Sequence, residues 1–131
     1  MKKVVAVLMV IMLASISLTS AFAETIAISG FGLTAPKVGS NILVNTYTIA
    51  NQTADSVGGV VYLQRWDGVA ATWSSISSYQ FAGYGVSSKS YSKTLTPTMG
   101  YYYRIKVVHT ASCDGDSVSK TEYSSSLNFG V

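Results

Sequence analysis

The chain has 131 residues, nine of them basic and six acidic, for a formal charge of +3. Two of the nine bases, Lys2 and Lys3, sit at the extreme start; without them seven bases face six acids, leaving +1, and the seven are scattered along the chain. Nucleic-acid binding needs phosphate-neutralising charge gathered on one surface, so this balance argues against it.

Lys2-Lys3 is followed by an apolar run over residues 4–18, interrupted only by Ser15 and Ser17, and then by the small-x-small site Ala21-Phe22-Ala23. These are the three parts of a secretory signal peptide. Residues 1–23 are therefore expected to be removed, leaving residues 24–131 as one secreted domain. No later apolar stretch approaches the roughly 20 residues that a bilayer-spanning helix needs, so no membrane span is expected after processing.

Past the leader, Ser, Thr, Val, Tyr and Gly dominate, and no window repeats its apolar positions at helical spacing. That composition belongs to half-buried strands and their turns. Seven strands are expected, over residues 25–33, 41–50, 59–66, 72–81, 86–95, 101–110 and 118–129. Between them lie turn signals: Pro36 and Gly39, the polar stretch 51–58, Asp67-Gly68, Gly83 and Gly85, Pro97 and Gly100, and Asp114-Gly115. Short strands punctuated this often predict an all-β fold, a single antiparallel β-sandwich of about seven strands. The sixth segment alternates most clearly. Tyr101, Tyr103, Ile105 and Val107 share one face, which should be core; Tyr102, Arg104, Lys106 and Val108 share the other, which should be wet.

At Leu95-Thr96-Pro97-Thr98-Met99-Gly100-Tyr101, running into the alternating strand, the chain resembles a fibronectin type III domain. Val60-Val61-Tyr62-Leu63-Gln64-Arg65-Trp66, then Asp67-Gly68 and Trp73, resembles the same family's third strand, hairpin and following Trp. The resemblance implies a sandwich in which Leu95, Ile105 and Val107 point inward and Tyr101 folds its hydroxyl back onto the preceding corner. The first two strands depart from the family's pattern, so other immunoglobulin-like topologies stay open. The layout is also similar to that of small exported proteins of Gram-positive bacteria.

Chemistry-bearing groups are few. There is one His, His109, and no Gly-x-Ser-x-Gly elbow that would mark a nucleophilic serine. His109 and Cys113 flank a loop four residues apart, a spacing that completes no zinc pattern, and they are read as a strand-end His beside a turn Cys. Asp114-Gly115-Asp116 starts like a calcium loop, but Val118 falls where an oxygen donor is required, so a hairpin turn is expected. Asn51-Gln52-Thr53 fits a glycosylation sequon and is read as an ordinary loop. No catalytic residue, metal site or cofactor is expected. Cys113 has no partner within the chain, so it is either buried and inert or paired with another chain through an intermolecular disulfide.

Aromatic residues are what remains. Trp66, Trp73, Tyr79, Tyr84 and Tyr102 exceed what a small core uses, and exposed rings stack on sugars or anchor protein interfaces. Trp66, Trp73 and Tyr84 are the candidate ligand-binding residues, with Tyr84 on a glycine loop; Trp66 and Trp73 also suit a cross-hairpin pair. The expected function is a non-catalytic binding module for a cell-wall, glycan or protein surface. The alternative is an antimicrobial protein, since Gly83-Tyr84-Gly85-Val86-Ser87-Ser88 resembles a segment of lactococcin-type bacteriocins.

Overall fold

The computed structural model describes residues 24–131; the signal peptide expected over residues 1–23 lies outside them. The strands are β1 (Ile28–Thr34), β2 (Lys37–Val38), β3 (Asn41–Asp67), β4 (Thr72–Leu95), β5 (Tyr101–Cys113), β6 (Asp116–Tyr123) and β7 (Leu127–Phe129). All pairings are antiparallel and join the seven into one hydrogen-bonded sheet that curls into an open half-barrel. No helix among the described residues is long and apolar enough to cross a membrane.

Two of the expected breaks are absent. The polar stretch 51–58 continues β3, and Gly83 and Gly85 lie within β4, so four expected strands are two long bent ones. The bend is visible in the register. Ile49 faces Ser88, but the next pair is Ala54 with Val86, so residues 50–53 lie opposite Ser87 alone. Extra residues on one strand force it to bend and twist. Before the bend Ile42, Val44, Thr46, Thr48 and Ala50 are buried; after it Val57, Gly59, Val61 and Leu63 are. The inward face thus changes from even to odd numbers, which disguises a single strand as two. Asn51 ties the bend to the start of the chain: its Oδ1 accepts from Ala27 N at 2.8 Å and its Nδ2 donates to Thr25 O at 2.9 Å.

One half of the sheet holds β1, the first part of β3 and the second part of β4. The other holds the first part of β4, the second part of β3, β5 and β6. Ile42 and Val44 from the first half meet Val61, Leu63, Tyr103, Ile105 and Val107 from the second in the main core, closed by Phe81, Leu95 and Phe129. Such side chains each contribute about 1.5–3 kcal/mol on full burial. Gly58 and Gly59 lie where β3 passes between β4 and β5. A Cβ on Gly58 would overlap the Phe81 carbonyl oxygen, and one on Gly59 the Val108 carbonyl oxygen.

The turn at Asp114-Gly115 is a two-residue hairpin, Cys113 facing Asp116, with φ of 52° and 83°. Two left-handed residues in sequence match the twist of the strands they join. The turn after Asp67 is longer; the Asp67 Oδ1 accepts from Val69 N and Ala70 N at 3.0 and 3.1 Å. The final expected strand is divided in two, β6 and β7, by residues 124–126. β4 is hydrogen-bonded to β3 alone, leaving its other edge unpaired.

Candidate functional site

The outward face of the second half carries the aromatic residues. Trp66 on β3 and Trp73 on β4 are directly opposite, with ring centroids 5.4 Å apart and planes at 59°. A tilted pair of this kind is a favoured aromatic geometry. With Tyr102 of β5 and Ser126 they bound an open depression of about 330 Å³. A second hollow of about 520 Å³ adjoins it, lined by Arg65, Tyr101, Tyr102 and the terminal Val131 among others.

Arg104 lies at the centre of this face. Its guanidinium carbon is 4.6 Å from the Trp73 ring centroid and 4.3 Å from that of Tyr123. Its Nε donates to Gln64 Oε1 at 2.7 Å, and Gln64 Nε2 donates in turn to Ser75 Oγ at 3.1 Å. A guanidinium held by rings and by one hydrogen bond loses little further freedom when it binds something else. Beside it Lys106 Nζ sits 5.4 Å from the Tyr62 ring centroid.

Of the expected site residues, Trp66 and Trp73 come together. Tyr84 does not join them. It is 76 % exposed, as anticipated, but it faces Ser56 within a strand and not a loop. Ten residues of β3 separate Ser56 from Trp66, on the order of 30 Å along the strand. Arg104, Gln64 and Tyr123 belong to the site without having been expected there. The only sequence signal was the outward phase of Tyr102 and Arg104.

His109 is not at a strand end, and it does not approach Cys113. It is fully buried in the middle of β5, Nδ1 2.7 Å from Thr48 Oγ1 and Nε2 2.7 Å from Glu122 Oε1, with the Phe31 ring centroid 5.1 Å away. A hydroxyl, an imidazole and a carboxylate in a row invite comparison with a nucleophilic triad. Here the hydroxyl has no exposure to solvent and donates its proton to Gly58 O at 2.9 Å. The row joins strands across the core and offers no nucleophile to a substrate.

Cys113 lies instead with Asp55 and Asp114, the three ligand atoms within 4.8 Å of one another, the one such grouping among the described residues. Asp55 Oδ2 already accepts from Asp114 N at 2.9 Å. Burial, reinforced by the carboxylates of Asp114 and Asp55, pushes the Cys113 thiol up from its ordinary value. The thiol is thereby held in the protonated form, the weaker nucleophile and metal ligand.

The hydroxyl bond implied for Tyr101 is made by Tyr103. The Tyr103 hydroxyl donates to Thr98 O at 2.7 Å and its ring is fully buried, whereas Tyr101 is exposed under Arg65, 4.3 Å from its centroid. The other inward residues, Leu95, Ile105 and Val107, are buried as expected.

No protein-family model matches the chain, and a search of curated proteins finds no match either.

Proposed function

We propose that this is an exported, non-catalytic binding module on a fibronectin type III-like sandwich, presenting Trp66, Trp73 and Tyr102 to a ligand at or outside the cell surface. The observation that carries the reading is the open depression bounded by those three rings. They stand on paired strands of a sheet, so little order has to be gained on binding. Support for the sandwich comes from the bent β3 and β4, whose two parts face each other across the core, and from the Tyr103–Thr98 bond at the corner. Support for export comes from the leader pattern alone.

Co-sedimentation of the purified protein with isolated cell walls and insoluble polysaccharides tests the reading. Saturable retention is expected, falling about tenfold in Trp73→Ala, the loss of a typical aromatic anchor. Absence of retention on walls, polysaccharides and protein arrays alike would remove the proposal. The antimicrobial alternative rests on six residues at the bend of β4, where Tyr84 stands out into solvent. Growth inhibition of Gram-positive strains by the purified protein distinguishes it.

A further inference from the structure

We infer that the ligand of this face is an anionic polysaccharide, with sugar rings on Trp66, Trp73 and Tyr102 and an oxyanion of the chain taken by Arg104; the inference rests on the binding reading above.

Arg104 is the starting point. Its Nε is used by Gln64, and no other hydrogen bond to a protein acceptor is made by its guanidinium among the described residues. Nor does a carboxylate lie within ion-pair distance of it; the one pair of that kind among the described residues is His109 with Glu122. Its stem and ring contacts orient it, yet the terminal N–H groups of the fork are unspent. A planar fork in a fixed orientation is suited to a carboxylate or phosphate, each of which accepts two parallel N–H bonds.

The surrounding charge points the same way. Strand register places Val60, Tyr62, Gln64 and Trp66 of β3, Trp73, Ser75, Ser78 and Gln80 of β4, Tyr102, Lys106 and Val108 of β5, and Thr121 and Tyr123 of β6 on the face that Arg104 shares. None is acidic. Glu122 points to the opposite side, toward His109. Asp67, the last residue of β3, lines the adjoining hollow, and its Oδ1 is committed to the backbone N–H groups of Val69 and Ala70. Arg104 and Lys106 stand in line about 7 Å apart, two residues along one strand. A polymer with repeating negative charge meets both. The near-neutral balance of residues 24–131 makes the two cations of these strands a local feature and not a reflection of overall charge.

An apolar platform beside an unspent guanidinium favours a charged sugar over a peptide, since flat rings cover the faces of sugars while the fork takes the oxyanion. The anion is a carboxylate, as in a uronate polymer, or a phosphate, as in a sugar-phosphate polymer. Both present the same chemistry to Arg104.

The test is titration of the purified protein, followed by Trp fluorescence, with oligogalacturonate, with a phosphomannan and with a soluble neutral glucan. The expected result is at least about tenfold tighter binding to one of the acidic polymers than to the glucan, weakening as salt is raised. Whichever acidic polymer is preferred identifies the source of the anion. Arg104→Met keeps the apolar stem and should abolish the preference for an acidic polymer over the glucan. Arg104→Lys keeps charge but not the fork and should retain only part of it, which covers the case of a poorly folded Met variant. Lys120→Met, on the opposite face, should change nothing. Equal affinity for acidic and neutral polymers, or an undiminished preference in both Arg104 variants, would overturn the inference. If Trp73→Ala alone abolishes binding, the binding reading stands and the anion inference fails. No binding to any of the three polymers overturns the inference, and the binding reading is then decided by the wall co-sedimentation.

Discussion

Thr48 and His109, on strands from opposite halves of the sheet, meet through Oγ1 and Nδ1 at 2.7 Å, and the direction of their bond is set by a neighbour. The Thr48 hydroxyl has one proton, which goes to the Gly58 carbonyl, an acceptor only. Oγ1 must therefore accept from an Nδ1–H of His109. That leaves Nε2 directed at Glu122 Oε1, 2.7 Å away.

Thr48→Val tests this chain of bonds. It preserves shape but strands the Nδ1–H and the Gly58 carbonyl in a buried place, at about 1–3 kcal/mol for each group left unsatisfied. Thr48→Ser keeps the hydroxyl and should cost much less. Urea unfolding midpoints of the two variants, compared with the parent, measure the difference.

Tyr103 is expected to make the fold sensitive to alkali. Burial raises its phenol above the ordinary 10.0, with the nearby Arg65 acting in the opposite direction. The unfolded chain then ionises first, so the stabilisation is complete below pH 10 or so and is lost as pH climbs through the folded value. Tyr103→Phe should start about 1 kcal/mol less stable, having lost the bond to Thr98 O, and should show a shallower decline above pH 10. Thermal melts across pH 8–11 read both effects; an unchanged decline would assign it to other groups.

Alkylation of Cys113 should be slow. Since its thiol is raised by burial and by the Asp114 and Asp55 carboxylates, iodoacetamide should react more slowly at pH 7.5 than with an unhindered cysteine, and the rate should climb at higher pH. Asp114→Asn removes one of the two charges and should speed the reaction. The same protonation opposes thiol–disulfide exchange, so disulfide-linked dimers should appear sooner from Asp114→Asn than from the parent on a non-reducing gel.

Gly58→Ala and Gly59→Ala should each destabilise the protein through backbone overlap alone. Neither glycine has a positive φ, but each would place its Cβ on a carbonyl oxygen of a neighbouring strand. Overpacking of this kind costs about 1–3 kcal/mol, a fall of several degrees in midpoint for a domain of this size. Gly39→Ala, with open space around it but φ of 62°, separates conformational strain from overlap.

How much of this could be read in advance depended on whether the signal was local. The alternation from Tyr103 to Val107 and the Asp114-Gly115 turn depend on neighbouring residues alone, and both are present. The stretch 51–58 reads as a loop in the sequence because the evidence for one continuous strand is non-local. Its Asn51 is satisfied by the start of the chain, and Gly58, where the stretch ends, makes room for a strand distant in sequence. Tyr101 and Tyr103 share a face, so phase could not tell which reaches Thr98; only the height of the corner decides. The alternation puts Arg104 on the wet side, yet its role arises from Trp73 on β4 and Tyr123 on β6, which no spacing rule brings together.

Because β3 passes through the bend and supplies the middle of both halves, neither half has a complete ladder without the other. Loss of β1 or of the far part of β4 exposes Ile42 and Val44, which are the same residues that cover Val61 and Ile105. The protein should therefore melt in one cooperative step, with calorimetric and van't Hoff enthalpies in agreement. Folding must also wait for one continuous strand to find partners on both sides of its bend, which places this chain among slow, topology-limited folders.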